Sequence, residues 1–94
     1  MKLLTFDKLV LEHLPFGDTG GLSVAELADG LLHKNDVPER QRVREALRKI
    51  ESMFILLSVR TRDSLTHYSC NLYTLASQER ERVVATLAAE LEVE

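Results

Sequence analysis

The sequence predicts an α+β domain, with helices first, then one two-stranded hairpin, then a closing helix. Three observations carry that expectation. Apolar residues recur at helical spacing through the first half of the chain, and two of the runs open on helix-start signals. At Phe54 the pattern changes to a β-branched and aliphatic run, FILLSVR, and YSCNLYTL at 68–75 supplies a partner strand. After Ser77 the helical spacing returns.

Leu3, Phe6, Leu9, Val10, His13 and Leu14 mark the first helix, which Pro15 ends. Residues 16–21, with three glycines, form a turn-rich connector. The second helix starts at a capping box, Ser23 with Glu26, in which each residue satisfies a backbone N–H of the other. Its stripe is Leu27, Ala28 and Leu31, with Gly30 weakening the last turn. A second capping box, Asp36 with Glu39, starts the third helix, and Pro38 sits in a first turn that has no use for its N–H. Val43, Ala46, Leu47 and Ile50 must face the core. At about 100° per residue, Gln41, Glu45, Arg48 and Ser52 then lie opposite, with Arg44 on one flank and Arg42 and Lys49 on the other.

In the first strand Ile55, Leu57 and Val59 share one face, and Phe54 and Leu56, on the other, serve the core. The loop at 61–67 has no Asn-Gly or Asp-Gly pair, so a long connection is expected rather than a tight turn. Ser77 is expected to cap the last helix, with Glu79 and Glu81 in its first turn. Its stripe of Val83, Val84, Leu87, Ala88 and Leu91 is wide enough for both the core and a second copy, so Val84, Leu87 and Leu91 are the expected dimerisation residues.

Ninety-four residues make one domain, 1–94, with a single core and no room for a deep enclosed active site. No apolar run reaches the roughly 18 residues of a membrane span, and the N-terminus lacks a signal-peptide pattern. The single cysteine, Cys70, excludes an internal disulfide and fits a cytoplasmic protein; in a strand it reads as a small buried hydrophobe. His13, His33 and His67 fall on separate elements without ligand-spaced partners, so no metal site is expected, nor any cofactor. Glu79 and Glu81 are two apart on a helix and do not face each other, and the glycines of the connector lack the Lys-Ser/Thr ending of a phosphate loop. Nothing reads as an enzyme.

Charge is unevenly placed. The chain nets −3, yet between Lys34 and Arg62 eight basic residues face four acidic ones, leaving +4 there and −7 in the remainder.

The stretches LSVAELADGL, RVREALRKIES and NLYTLA, in that order, resemble the winged helix-turn-helix superfamily, nearest to small MarR-like transcriptional regulators. That resemblance implies a positioning helix, a recognition helix and a strand closing the wing. Two features depart from it: the charged, lengthened Leu32–His33–Lys34–Asn35–Asp36 connection, and the lack of long flanking dimerisation helices.

The function expected is that of a transcriptional regulator binding double-stranded DNA as a homodimer. Arg40, Gln41, Arg44 and Arg48 of the third helix would enter the major groove, with Arg60 and Arg62 acting from the wing. His67 would reach neighbouring phosphates, and Asp63 opposes that. The bland reading of the same helix is a solvated surface with a Glu45–Lys49 pair. The rival function is a winged-helix protein-interaction module, such as a phage or mobile-element protein that binds a host complex. A structural subunit of a nucleoprotein assembly is the third reading.

Overall fold

The computed structural model describes residues 3–17, 20–62 and 69–93, with side chains to residue 89. Its elements run α1 (Thr5–His13), α2 (Val24–Leu32), α3 (Val37–Met53), β1 (Leu56–Arg62), β2 (Ser69–Leu75), a 3-10 turn (Ser77–Glu79) and α4 (Arg80–Val93). This is the α+β order expected: helices, one antiparallel hairpin, helix.

Both capping expectations have a structural counterpart. Ser23 and Glu26 exchange hydrogen bonds: the Glu26 amide donates to Ser23 Oγ and the Ser23 amide to Glu26 Oε1, both at 3.1 Å. At α3 the Asp36 amide donates to Glu39 Oε1 at 3.2 Å. Between these helices the chain turns at His33, whose φ of 57° is left-handed and whose N–H closes on the Asp29 carbonyl at 3.0 Å. A residue with a Cβ holds that conformation at a cost of about 1 kcal/mol, which the helix-ending hydrogen bond offsets.

α3 is the central helix, with α1 and α2 packed along it. Its Val43, Ala46, Leu47 and Ile50 are all buried, as the spacing requires. They meet Val10, Leu11 and Leu14 from α1 and its end, Leu27 and Ala28 from α2, and Leu75 from β2. The α1 stripe differs from expectation. Leu9 is 43% exposed and His13 is exposed, while Leu11 and Asp7 are buried. The helix is rotated because α3 draws Asp7 inward: its Oδ2 accepts from Lys49 Nζ at 3.0 Å and from the Leu4 amide at 2.8 Å. A buried carboxylate with a cation and a helix-start N–H as partners is tolerated where a lone one would not be.

The hairpin pairs Leu56 with Leu75 through to Arg62 with Ser69. Thr61 and Arg62, expected in the loop, are therefore strand residues; the rest of that loop, with Asp63, His67 and also Tyr68, lies outside the described residues. On its other side β2 is held by the connector. Leu22 and Tyr73 exchange backbone hydrogen bonds (3.1 and 2.8 Å), the Leu75 amide donates to Pro15 O at 2.8 Å, and the Gly17 amide donates to Leu75 O at 3.0 Å. Gly21 is needed there, since a Cβ would stand 2.9 Å from Leu72 Cβ and 3.1 Å from the β2 backbone.

Paired residues of an antiparallel ladder point to one face. Leu56 and Leu75 turn inward, so Ser58 with Tyr73, Arg60 with Asn71 and Arg62 with Ser69 continue that face past the core. The opposite face carries Leu57 with Thr74, Val59 with Leu72 and Thr61 with Cys70. Phe54 and Leu56 serve the core as expected, and Cys70 is half-buried.

Ser77 does not cap α4; it opens the 3-10 turn, and Glu79 fastens the junction instead. Glu79 is buried, with Oε2 accepting from the Ile55 amide at 2.6 Å and both oxygens accepting from Arg82 at 2.6 and 2.8 Å. Arg82 also donates to the Met53 carbonyl at 2.9 Å and lies over the Phe54 ring. The hydrogen bond from Ile55, more than the Arg82 cation, holds the Glu79 carboxyl below its ordinary pKa, against the opposing pull of burial. One carboxylate thus joins the end of α3, the start of β1 and the start of α4.

Candidate nucleic-acid interface

Six residues were expected to touch DNA: Arg40, Gln41, Arg44, Arg48, Arg60 and Arg62. The fold sorts the basic residues around them into two groups. On the α1 flank of α3, Arg42 sits over the Phe6 ring at 4.6 Å and Lys49 is bonded to Asp7. These two cations are seven residues apart, two turns of helix, and the adjacent Phe6 and Asp7 of α1 receive them. The expected Glu45–Lys49 surface pair does not form, because Lys49 takes the buried partner. Lys34 pairs with Asp36 at 3.5 Å. Arg40 is half-buried, and its Nε is enclosed without a hydrogen-bond partner among the described residues.

The other group is unengaged. Gln41, Arg44, Arg48, Arg60 and Arg62 are all exposed. Among the described residues the side chains of the four arginines of this set make no ion pair or hydrogen bond. Arg44 and Arg48 stand one turn apart on α3, and Arg60 and Arg62 share the polar face of the hairpin with Ser58, Asn71 and Ser69. Each pair is a short row of guanidinium groups at a spacing set by its own element. Exposed Glu45 and Glu51 interrupt the positive charge on α3. Of the six residues, Arg40 is the half-buried one and the other five are exposed.

The expected dimerisation residues are also divided. Val83 is buried and Leu87 packs against the core, so Leu87 serves this chain; Val84 is 60% exposed. The Leu91 side chain lies outside the described residues. Among the described residues no three His, Cys, Asp or Glu side chains gather as a metal site would need, and no helix is long and apolar enough to cross a membrane.

Neither the inward turn of Asp7 nor the bond from Ile55 to Glu79 follows from the sequence pattern. Asp7 had a faint signal, standing three residues beyond the exposed amide it caps; Glu79 had none, since its partner Ile55 is 24 residues away. No protein-family model, curated protein or solved structure matches this chain.

Proposed function

We propose that the protein is a winged helix-turn-helix domain that binds double-stranded DNA, with α3 in the major groove and the hairpin as the wing. The observation that carries this reading is the set of four exposed arginines on α3 and the hairpin whose side chains have no partner among the described residues. On the same segment Arg42 and Lys49 are taken up by α1, Lys34 by Asp36, and Arg40 is half-buried; Arg44, Arg48, Arg60 and Arg62 are left to solvent. Unpaired guanidinium groups at a regular spacing suit phosphate neutralisation and bidentate contact with guanine. The element order supports it as well: α2, a four-residue connection, α3 and then directly the hairpin, with Pro15, Gly17 and Leu22 bonded along β2. Gln41, on the same exposed side as Arg48, is suited to adenine. A role in transcription follows from this reading if the site recognised is a specific one.

The test is binding of fluorescent random duplexes at low and moderate salt. Neutralising about four phosphates gives a slope of log K against log salt near −3.6. Arg44→Ala and Arg48→Ala should each reduce that slope by about 0.9, while Glu81→Ala leaves it unchanged. No binding at low salt, with no motif enriched by selection, would overturn the reading.

A protein-interaction module is the second reading, and one observation favours it: the aliphatic face of β1, where Ile55, Leu57 and Val59 are 46%, 36% and 60% exposed. Under that reading Arg44→Ala and Arg48→Ala have no effect on nucleic acid, and a stoichiometric protein partner is recovered from the native host.

A further inference from the structure

We propose that two copies of this protein associate by antiparallel pairing of their β1 edges, with a two-fold axis passing beside Ser58. The inference is independent of the nucleic-acid reading.

Among the described residues the edge is open, and its hydrogen-bonding parity is determined. Tyr73 and Leu75 direct their N–H and C=O groups to Pro15, Gly17 and Leu22, so the alternate residues of β2 face β1. Through the register, Leu57, Val59 and Thr61 bond to β2, and the Ala76 amide donating to Ile55 O continues that set. The backbone groups of Leu56, Ser58, Arg60 and Arg62 therefore point outward, and β2 is the one element along which β1 makes extended contact. A row of outward N–H and C=O groups is a template for another strand unless something blunts it.

Protection is confined to the outer half. Arg60 and Arg62 guard the tip, but from Ile55 to Val59 there is no charge, no proline and no bulge. That unguarded half holds three of the exposed large apolar residues of the domain. A surface of this kind fits another strand of like character, and β1 is its own complement. With Ser58 opposite Ser58 of the second copy, Leu57 faces Val59 and Arg60 faces Leu56 in both directions. The two Arg60 positions then stand about 14 Å apart along the strand, beyond the roughly 8 Å screening length at physiological salt. Parallel pairing would set each arginine beside its equivalent, and an antiparallel register shifted to the tip would set Arg60 against Arg62. Like charges exclude both. The interface is narrow, below the roughly 800 Å² per partner of a standard one, so the dimer is a weak one.

Sedimentation equilibrium of the full chain from about 1 μM to 1 mM should show a reversible monomer–dimer equilibrium. Ser58→Pro removes an outward N–H without touching the β2 ladder, and should give a monomer throughout with the circular dichroism of the parent. A second variant fixes the register independently. With Cys70→Ser, oxidised Ser58→Cys should form a covalent dimer, since directly opposed Cα atoms lie about 5.5 Å apart. Leu57→Cys in the same background should not, because its equivalents lie about 8 Å apart. Val84→Lys, on α4, should leave the equilibrium unchanged. A parent chain monomeric at every concentration, a Ser58→Pro protein that dimerises as before, or a dimer abolished by Val84→Lys would each overturn the proposal.

Discussion

Arg42 and Lys49 on one side of α3 and Arg44 and Arg48 on the other carry the same charge on the same helix, yet among the described residues the first pair alone is held by side chains elsewhere in the chain. The difference lies in what packs alongside. α1 crosses the Arg42 flank and offers an aromatic ring and a buried carboxylate; the Arg44 flank meets neither. Cations on an amphipathic helix are thus two populations. One adds to the cohesion of the fold, and the other is left with its charge unspent. Counting basic residues along the sequence merges the two.

The comparison fails altogether if α3 does not hold its phase, and that gives the largest expected effect. Leu47→Ala should destabilise the protein by about 2–5 kcal/mol in a thermal or urea melt, because it removes buried volume at the centre of the helix. An unchanged melt would mean that both flanks are misassigned. Next in size is the engaged flank alone. Asp7→Ala leaves the Leu4 amide uncapped and Lys49 without its partner, and should cost about 1–3 kcal/mol. Lys49→Ala should cost less, since Asp7 keeps its bond to Leu4.

Acid offers a further contrast, because Glu79 lies at the junction and away from both flanks. Its folded pKa is lowered from 4.5, so its contribution is fully present above the unfolded value. That contribution is lost as pH falls through 4.5 towards the folded value, and is gone below both. Glu79→Gln should lower stability at neutral pH and flatten the loss seen as pH falls below the ordinary carboxylate value of 4.5. A parent and variant with parallel pH profiles would remove Glu79 from the account. The smallest stability effect belongs to the free flank. Arg44→Ala and Arg48→Ala should change stability by no more than about 0.5 kcal/mol while reducing the salt slope of duplex binding. Arg42→Ala and Lys49→Ala should do the reverse. Should all four weaken binding alike, the division of the helix would have no functional meaning.

Much of the architecture was legible in the sequence because it is set locally. The Ser23 and Asp36 helix starts and the buried stripe of α3 depend on neighbours three or four residues away, and the change to strand on side-chain shape, although β1 begins at Leu56 and the expected first strand residue, Phe54, ends α3 instead. Those expectations failed where a distant partner intervened. Helical spacing alone puts Leu9 inside and leaves Asp7 out of account, because the phase of α1 follows a lysine 42 residues further on. Ser77 was expected to cap α4, but a carboxylate two residues later bonds across to Ile55. The apolar stripe of α4 was read as one surface, whereas the core takes Val83 and Leu87 and leaves Val84 exposed.

By itself, then, the sequence determined which segments are helix and which are strand, and that positive charge gathers between Lys34 and Arg62. Tertiary structure decided which of those charges remain free and which edge of the hairpin stays open. The physical reason is range. Helix and strand periodicity is written in residues a few positions apart, whereas an ion pair, a cation–π contact or a covered sheet edge requires a partner that only chain packing brings near.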